Sequence, residues 1–179
     1  WEGQEGSFLL WTFWHVVIGF ILQRSAKNWE APVMSVISLV QVFLSSMLLG
    51  IIVFEHRIGS NPFTVLLRNH PNFENIPIFT NPNYLEKLNG KGLNPLLQNY
   101  WMTIHPPTLF LGFALTVVPF AFAIGGLWKK DFLGWIKPAL PWTFFGVAIL
   151  GTGILMGGAW AYEALSFGGF WAWDPVENA

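Results

Sequence analysis

The chain has 179 residues, of which 53% are hydrophobic, 17% aromatic and only 11% charged; a soluble domain carries about 25% charged residues, so this composition points to a membrane protein built as one compact bundle. Nine Lys and Arg stand against ten Asp and Glu, which leaves no basic surface for a phosphate backbone and excludes nucleic-acid binding. The absence of cysteine excludes disulfide frameworks, cysteine-ligated zinc, iron–sulfur clusters and thiol nucleophiles, so any chemistry rests on His, carboxylates, aromatics or a bound cofactor.

The charged residues divide the chain into intervals that can be measured against a hydrocarbon core about 30 Å thick, roughly 20 helical residues. Four uncharged intervals are long enough: 6–23, 31–54, 107–128 and 138–162. The expected fold is therefore all-α and integral to the membrane. It is a bundle of four transmembrane helices, with a long loop over 55–106 and an interfacial Trp-rich segment over 160–179. The chain opens at Trp1 without an initiator Met and stops at Ala179, and reads as a piece of something longer.

Basic residues in short connections mark the cytoplasmic side. Arg24 and Lys27 lie in the first connection, and Lys129, Lys130 and Lys137 in the third. This predicts that the loop 55–106 and everything after Tyr162 lie on the outer face. In the fourth span, Gly146, Gly151, Gly153, Gly157 and Gly158 predict close helix packing, because small residues let backbones approach in lipid. In the loop, Asn94-Pro95-Leu96-Leu97-Gln98 reads as a short surface helix, with Asn as cap and Pro at the first helical position.

Two outer-face segments combine residue types that can carry chemistry. In Trp101-Met-Thr-Ile-His105-Pro106-Pro107, a residue before Pro is biased away from the α region, so His105 is expected just ahead of the third helix. Its imidazole would then lie at the bilayer surface with a preset direction, as an axial metal ligand requires; a plain helix start with Pro in its first turn has the same sequence. The second segment runs from Trp160 to Asn178 and places Trp160, Tyr162, Phe167, Phe170, Trp171 and Trp173 around Gly168-Gly169. Trp and Tyr also form interfacial belts, but this density of flat faces beside a Gly hinge suits a flat apolar ligand such as a porphyrin. Asp174-Pro175-Val176-Glu177 carries the signature of a helix start, which predicts a further helix beyond Ala179.

The remaining histidines weigh less. His15 lies within the first span, where a polar side chain is either functional or a satisfied helix contact. His56 and His70 sit beside charged loop residues and read as solvated. No Gly-rich phosphate loop, closely spaced His pair or Ser/His/Asp set is present to support a hydrolase, kinase or nucleotide-binding reading.

The stretch Phe167-Gly-Gly-Phe-Trp171-Ala-Trp173-Asp174-Pro175-Val-Glu177-Asn178 resembles the "WWD" signature of the haem-handling membrane proteins of cytochrome c biogenesis. Leu93-Asn-Pro-Leu-Leu-Gln with Trp101 to Pro107, and Gly3-Gln-Glu-Gly-Ser7, are similar to the CcmF/NrfE branch of that family. The resemblance covers essentially the whole chain in the right order, departing at Phe167, where many relatives have Trp. It implies a haem lyase component of the bacterial inner membrane. Such a component receives haem from the haem chaperone CcmE and joins it at the periplasmic face to apocytochrome c held by CcmH and CcmI. It further implies His105 as an axial ligand of the haem iron and Trp160, Phe170, Trp171, Trp173 and Asp174 as the haem platform. A second outer histidine and a transmembrane pair for a separate haem b are implied outside these residues. A haem transporter, favoured by His15, and a purely structural membrane module remain as alternatives to the lyase component.

Overall fold

Long uncharged runs cannot leave backbone groups unpaired in hydrocarbon, so they fold as helices that satisfy their own amides. The structure, a computed structural model, describes residues 4–63, 83 and 95–164, apart from the side chains of Arg57 and Leu96. It contains four helices long and apolar enough to cross a bilayer: α1 (Gln4–Ser25), α2 (Glu30–Leu48), α3 (Tyr100–Lys129) and α4 (Ile136–Ala164). A single 3₁₀ turn, Lys27–Trp29, joins α1 to α2, and a short hairpin, β1 (Ile51–Val53) with β2 (His56–Ile58), follows α2. The protein is an all-α integral membrane bundle.

Three boundaries differ from the charge-interval reading. The run 31–54 does not continue as helix to Phe54: α2 ends at Leu48, Gly50 takes a φ of 60°, and the last apolar residues turn back as the hairpin. The short surface helix expected at 94–98 is a 3₁₀ turn over Pro95–Leu97. The third helix begins at Tyr100 rather than after the prolines, so His105 lies inside α3 instead of ahead of it. The bias of a residue before Pro is local, and two things outweigh it here. Asn99 caps the helix by accepting from the Trp101 amide at 3.0 Å, and the first turns of α3 are gripped by the neighbouring helices. Pro is tolerated in spanning helices when neighbours and Thr side chains engage the backbone it disturbs. Close to Pro106 and Pro107 the Thr108 hydroxyl donates to Ile104 O at 2.8 Å and the Trp14 indole donates to Pro107 O at 3.0 Å, bonds that hold this stretch of backbone without replacing the amides the prolines lack.

Side chain to backbone bonds of this kind link the helices where lipid offers no hydrophobic drive. Besides Trp14 to Pro107, the Gln41 amide donates to Thr12 O at 3.0 Å, tying α2 to α1. Ile18, Leu22, Val33, Val36, Ile37, Leu115, Val118 and Phe122 form the core between α1, α2 and α3. Phe8, Trp11, Phe110 and Phe113 fill the α1–α3 contact with ring centroids 5.9–6.2 Å apart. Replacing Trp14 by Phe keeps the ring contact and removes only the donor. An interhelical bond in lipid is worth on the order of 1 kcal/mol. Denaturant unfolding in micelles should therefore show a lower midpoint for Trp14→Phe and none of that loss for the exposed Trp128→Phe.

The most extensive helix contact is α3 against α4, and a seam of small residues explains it. Ala139, Gly146, Gly153, Gly157 and Ala161 are the buried residues of α4, spaced so that they share one face. A Cβ added at Gly146 would lie 3.3 Å from the Leu115 side chain, and one at Gly153 would lie 3.0 Å from the Leu109 Cα. From the other side, a Cβ at Gly112 would lie 2.8 Å from the Leu150 Cα. The expected close packing of the Gly-rich span is observed at Gly146, Gly153 and Gly157; Gly151 faces open space.

At one end of the bundle the basic residues gather: Lys129 donates to Asn28 O and lies 4.7 Å over the Trp29 ring, while Lys130 closes α3 in the left-handed conformation. The antiparallel helices place the start of α3, the end of α4 and the hairpin at the opposite end.

Candidate functional site

Near the end opposite the lysines, α3 and α4 hold an imidazole between them. Counting roughly 20 residues back from Trp128 reaches Leu109, one turn before His105, while Gly153 of α4, which the ring meets, lies within 20 residues of Pro138, so the imidazole sits in the outermost part of the hydrocarbon, near its edge. The imidazole lies over the small-residue seam of α4. Its Nδ1 is 2.8 Å from Gly153 O, and a carbonyl can only accept, so Nδ1 carries the proton. The lone pair of the neutral ring then resides on Nε2. A metal-ligating histidine is oriented in this way, by donating its other ring N–H to a carbonyl or carboxylate. Gly157 makes room for the ring: a Cβ there would stand 2.8 Å from Cε1 and 3.3 Å from Nε2.

Trp160 follows one turn later on α4, its ring 5.8 Å from that of His105 at an interplanar angle of 57°. Its indole nitrogen is buried and has no hydrogen-bond partner among the described residues. One turn above His105, the Trp101 indole donates to a Glu163 carboxylate oxygen at 2.7 Å, and Tyr100 packs edge-on against Trp101 at 5.1 Å. The Trp101–Glu163 bond joins the start of α3 to the end of α4.

Of the residues singled out in the sequence, the structure brings His105 and Trp160 together. Phe170, Trp171, Trp173 and Asp174 lie outside the described residues, as do Phe167 and His70. His15 belongs elsewhere: it is 1% exposed, with Nδ1 3.0 Å from Trp11 O, and lies beside the cleft between α1 and α2 that Gln41 also borders. Sequence reasoning missed the Gly153 carbonyl, the Gly157 cradle and the Trp101–Glu163 bond. The first two were hidden within a Gly pattern read only as packing. The signal that finds them is the seven- and four-residue spacing of small residues ending opposite a His.

The donor set has a definite chemical meaning. Among the described residues no group of three His, Asp or Glu side chains can hold a metal ion. A lone, oriented imidazole nitrogen cannot by itself enclose a bare cation. An adjacent indole face and a seam of glycines suit a flat aromatic ligand.

Four apolar helices with a small-residue seam, and an imidazole–indole pair at the end away from the basic connections, define a polytopic membrane protein with a site at the bilayer edge. The chain belongs to the cytochrome c assembly protein family, whose model matches residues 1–179. It is similar to the cytochrome c-type biogenesis protein CcmF of Pseudomonas aeruginosa, 35% identical over 185 residues, and to CcmF of Escherichia coli, 35% identical over 184 residues. It is 32% identical over 184 residues to the probable cytochrome c-type biogenesis protein NrfE of Escherichia coli. Each alignment covers 100% of this chain but only 24%, 25% and 29% of the respective relative, so the chain spans about a quarter of their length. No solved structure matches it.

Proposed function

We propose that this chain is part of the haem-binding subunit of a cytochrome c maturation haem lyase, holding haem at the periplasmic face of the bacterial inner membrane while thioether bonds form to apocytochrome c. The relatives are named as cytochrome c-type biogenesis proteins, which supports a place in cytochrome c maturation. The observation that carries the finer reading is His105, whose Nδ1–H is committed to Gly153 O at 2.8 Å, leaving Nε2 as an axial donor.

Haem, when bound, supplies the iron for that ligation and the vinyl carbons that the cytochrome thiols attack. The chain's residues bind and orient. Gly153 holds the imidazole at a fixed angle and Gly157 lets it lie close to α4. Trp160 offers a ring face and a buried N–H beside it, and the family resemblance assigns Phe170, Trp171, Trp173 and Asp174 to the same platform. Fixing two reactants in a productive geometry is by itself a large source of rate, and the protein's part in cofactor chemistry is this kind of positioning. The lysines and Arg24 at the far end support an outward-facing site by the positive-inside rule. CcmE as haem donor and CcmH with CcmI as holders of apocytochrome c are the partners this reading requires.

The test uses the complete protein purified from cells that make haem. His105→Ala is expected to lower holocytochrome c yield by roughly tenfold or more, the scale on which metal-site residues act, and to remove from the Soret band the share that belongs to the outer haem, leaving that of a separate haem b. His15→Ala is expected to leave the Soret band and the yield unchanged. Full haem occupancy and full yield in His105→Ala would overturn the proposal, and loss of haem in His15→Ala alone would favour carriage through the bundle.

A further inference from the structure

The hairpin after α2 takes no part in the site, and its chemistry is unusual. Its strands pair Ile51 with Ile58, Ile52 with Arg57 and Val53 with His56 around a two-residue turn at Phe54 and Glu55. Both turn residues have positive φ, 47° and 66°, a conformation in which hairpins favour Asn and Gly. A Phe there is the opposite of what a solvated turn selects.

Successive strand residues point to opposite faces. Yet Ile51, Ile52, Val53 and Phe54 are 45%, 74%, 36% and 91% exposed, so the first strand is apolar on both faces and, with Phe54, uncovered among the described residues, while Glu55, His56 and Arg57 follow on the returning side. A lone two-stranded hairpin is at best marginal in water, and an exposed apolar strand and tip beside a polar, charged strand suit the boundary between hydrocarbon and headgroups.

The position of the hairpin puts it at that boundary. The 19 residues of α2 rise about 28 Å, close to the roughly 30 Å of a hydrocarbon core, so the chain leaves α2 at the hydrocarbon edge. It cannot move far from that edge. The Ser60 amide donates to Met47 O at 2.8 Å, and Gly59 sits so close that a Cβ would overlap the Met47 carbonyl. Both ends of the hairpin are thus fixed to the last turn of a spanning helix, with the tip about 10 Å away along the strands.

We propose that the hairpin is an interfacial lipid anchor, with Phe54 inserted among the headgroups and upper acyl chains of the leaflet on the His105 side. It rests on the membrane reading of α2 and not on haem binding. Because it closes on α2 at the same end as the site, it fixes the depth at which the bundle presents its His105 end.

The chain contains no cysteine, so single labels can be placed at will. Phe54→Cys and, separately, Ile52→Cys are introduced into the complete protein, with any cysteine outside this chain replaced by Ser, and carry a nitroxide in phosphatidylethanolamine/phosphatidylglycerol vesicles. Phe43→Cys, 68% exposed on α2, marks hydrocarbon, and Glu30→Cys at the other end of α2 marks water. Collision with dissolved oxygen against a water-soluble nickel chelate is expected to favour oxygen at 54 and 52, with a ratio several-fold above that at Glu30 and approaching that at Phe43. A ratio equal to that at Glu30 would overturn the anchor, as would suppression of both collisions, which would show a protein surface covering the hairpin.

Discussion

Replacing Gly112 by Val is expected to prevent α3 and α4 from packing, leaving protein that inserts but unfolds and aggregates on extraction. The reason is the identity of the neighbouring atom. A Cβ at Gly112 would lie 2.8 Å from the Leu150 Cα, which is backbone within a helix and cannot step aside without moving the helix. Even Gly112→Ala must force the pair apart. Overpacking commonly costs about 1–3 kcal/mol, and here it opposes a gain of about 0.5–1 kcal/mol for replacing a helical Gly by Ala. A net loss of about 1–2 kcal/mol in micelle unfolding experiments follows for the Ala variant, and collapse of the monodisperse size-exclusion peak for Val. Gly151→Ala is the internal control, because nothing stands within 4 Å of its Cβ position. It should hold or raise stability. Equal losses at 112 and 151 would show that the seam, rather than glycine as such, has been misread.

Gly157→Ala is expected to do the reverse, keeping the fold and damaging the site. The atoms in the way are Cε1 and Nε2 of His105, at 2.8 and 3.3 Å, and a side chain can rotate away where a backbone cannot. The imidazole must then turn, which breaks its 2.8 Å bond to Gly153 O and redirects the Nε2 lone pair. Disturbing the groups that orient a metal ligand typically costs 10–100-fold in affinity. Gly157→Ala should therefore elute and melt like the parent while retention of the outer haem, read as the Soret absorbance that His105→Ala also removes, falls by roughly tenfold or more. Gly157→Ala with unchanged haem occupancy would show that His105 does not need its bond to α4. Together the two glycines separate stability from ligand geometry along one seam.

Four spanning helices were legible from the intervals between charges because the bilayer itself sets the length of a span. The boundaries were less so. Charge spacing marked 31–54 as one span, yet Gly50 ends the helix and the apolar tail folds back on Met47; hydropathy counts residues but does not distinguish hydrocarbon from its edge. At His105-Pro106-Pro107 the local rule for residues before proline pointed to an extended backbone. The opposite outcome arose from partners on other helices, Trp14 at Pro107 O and Gly153 O at His105.

Membrane class, helix number, the basic end and the family were decided by the sequence alone, because these depend on composition, spacing and motif order. What only the tertiary structure decided is which atoms meet. Gly153 and Gly157 are 48 and 52 positions from His105 in the chain, yet they set the ring's tautomer and its room. A seam of missing side chains leaves no mark of its own partner in a sequence, and two antiparallel helices in contact are needed to show which residue fills the space.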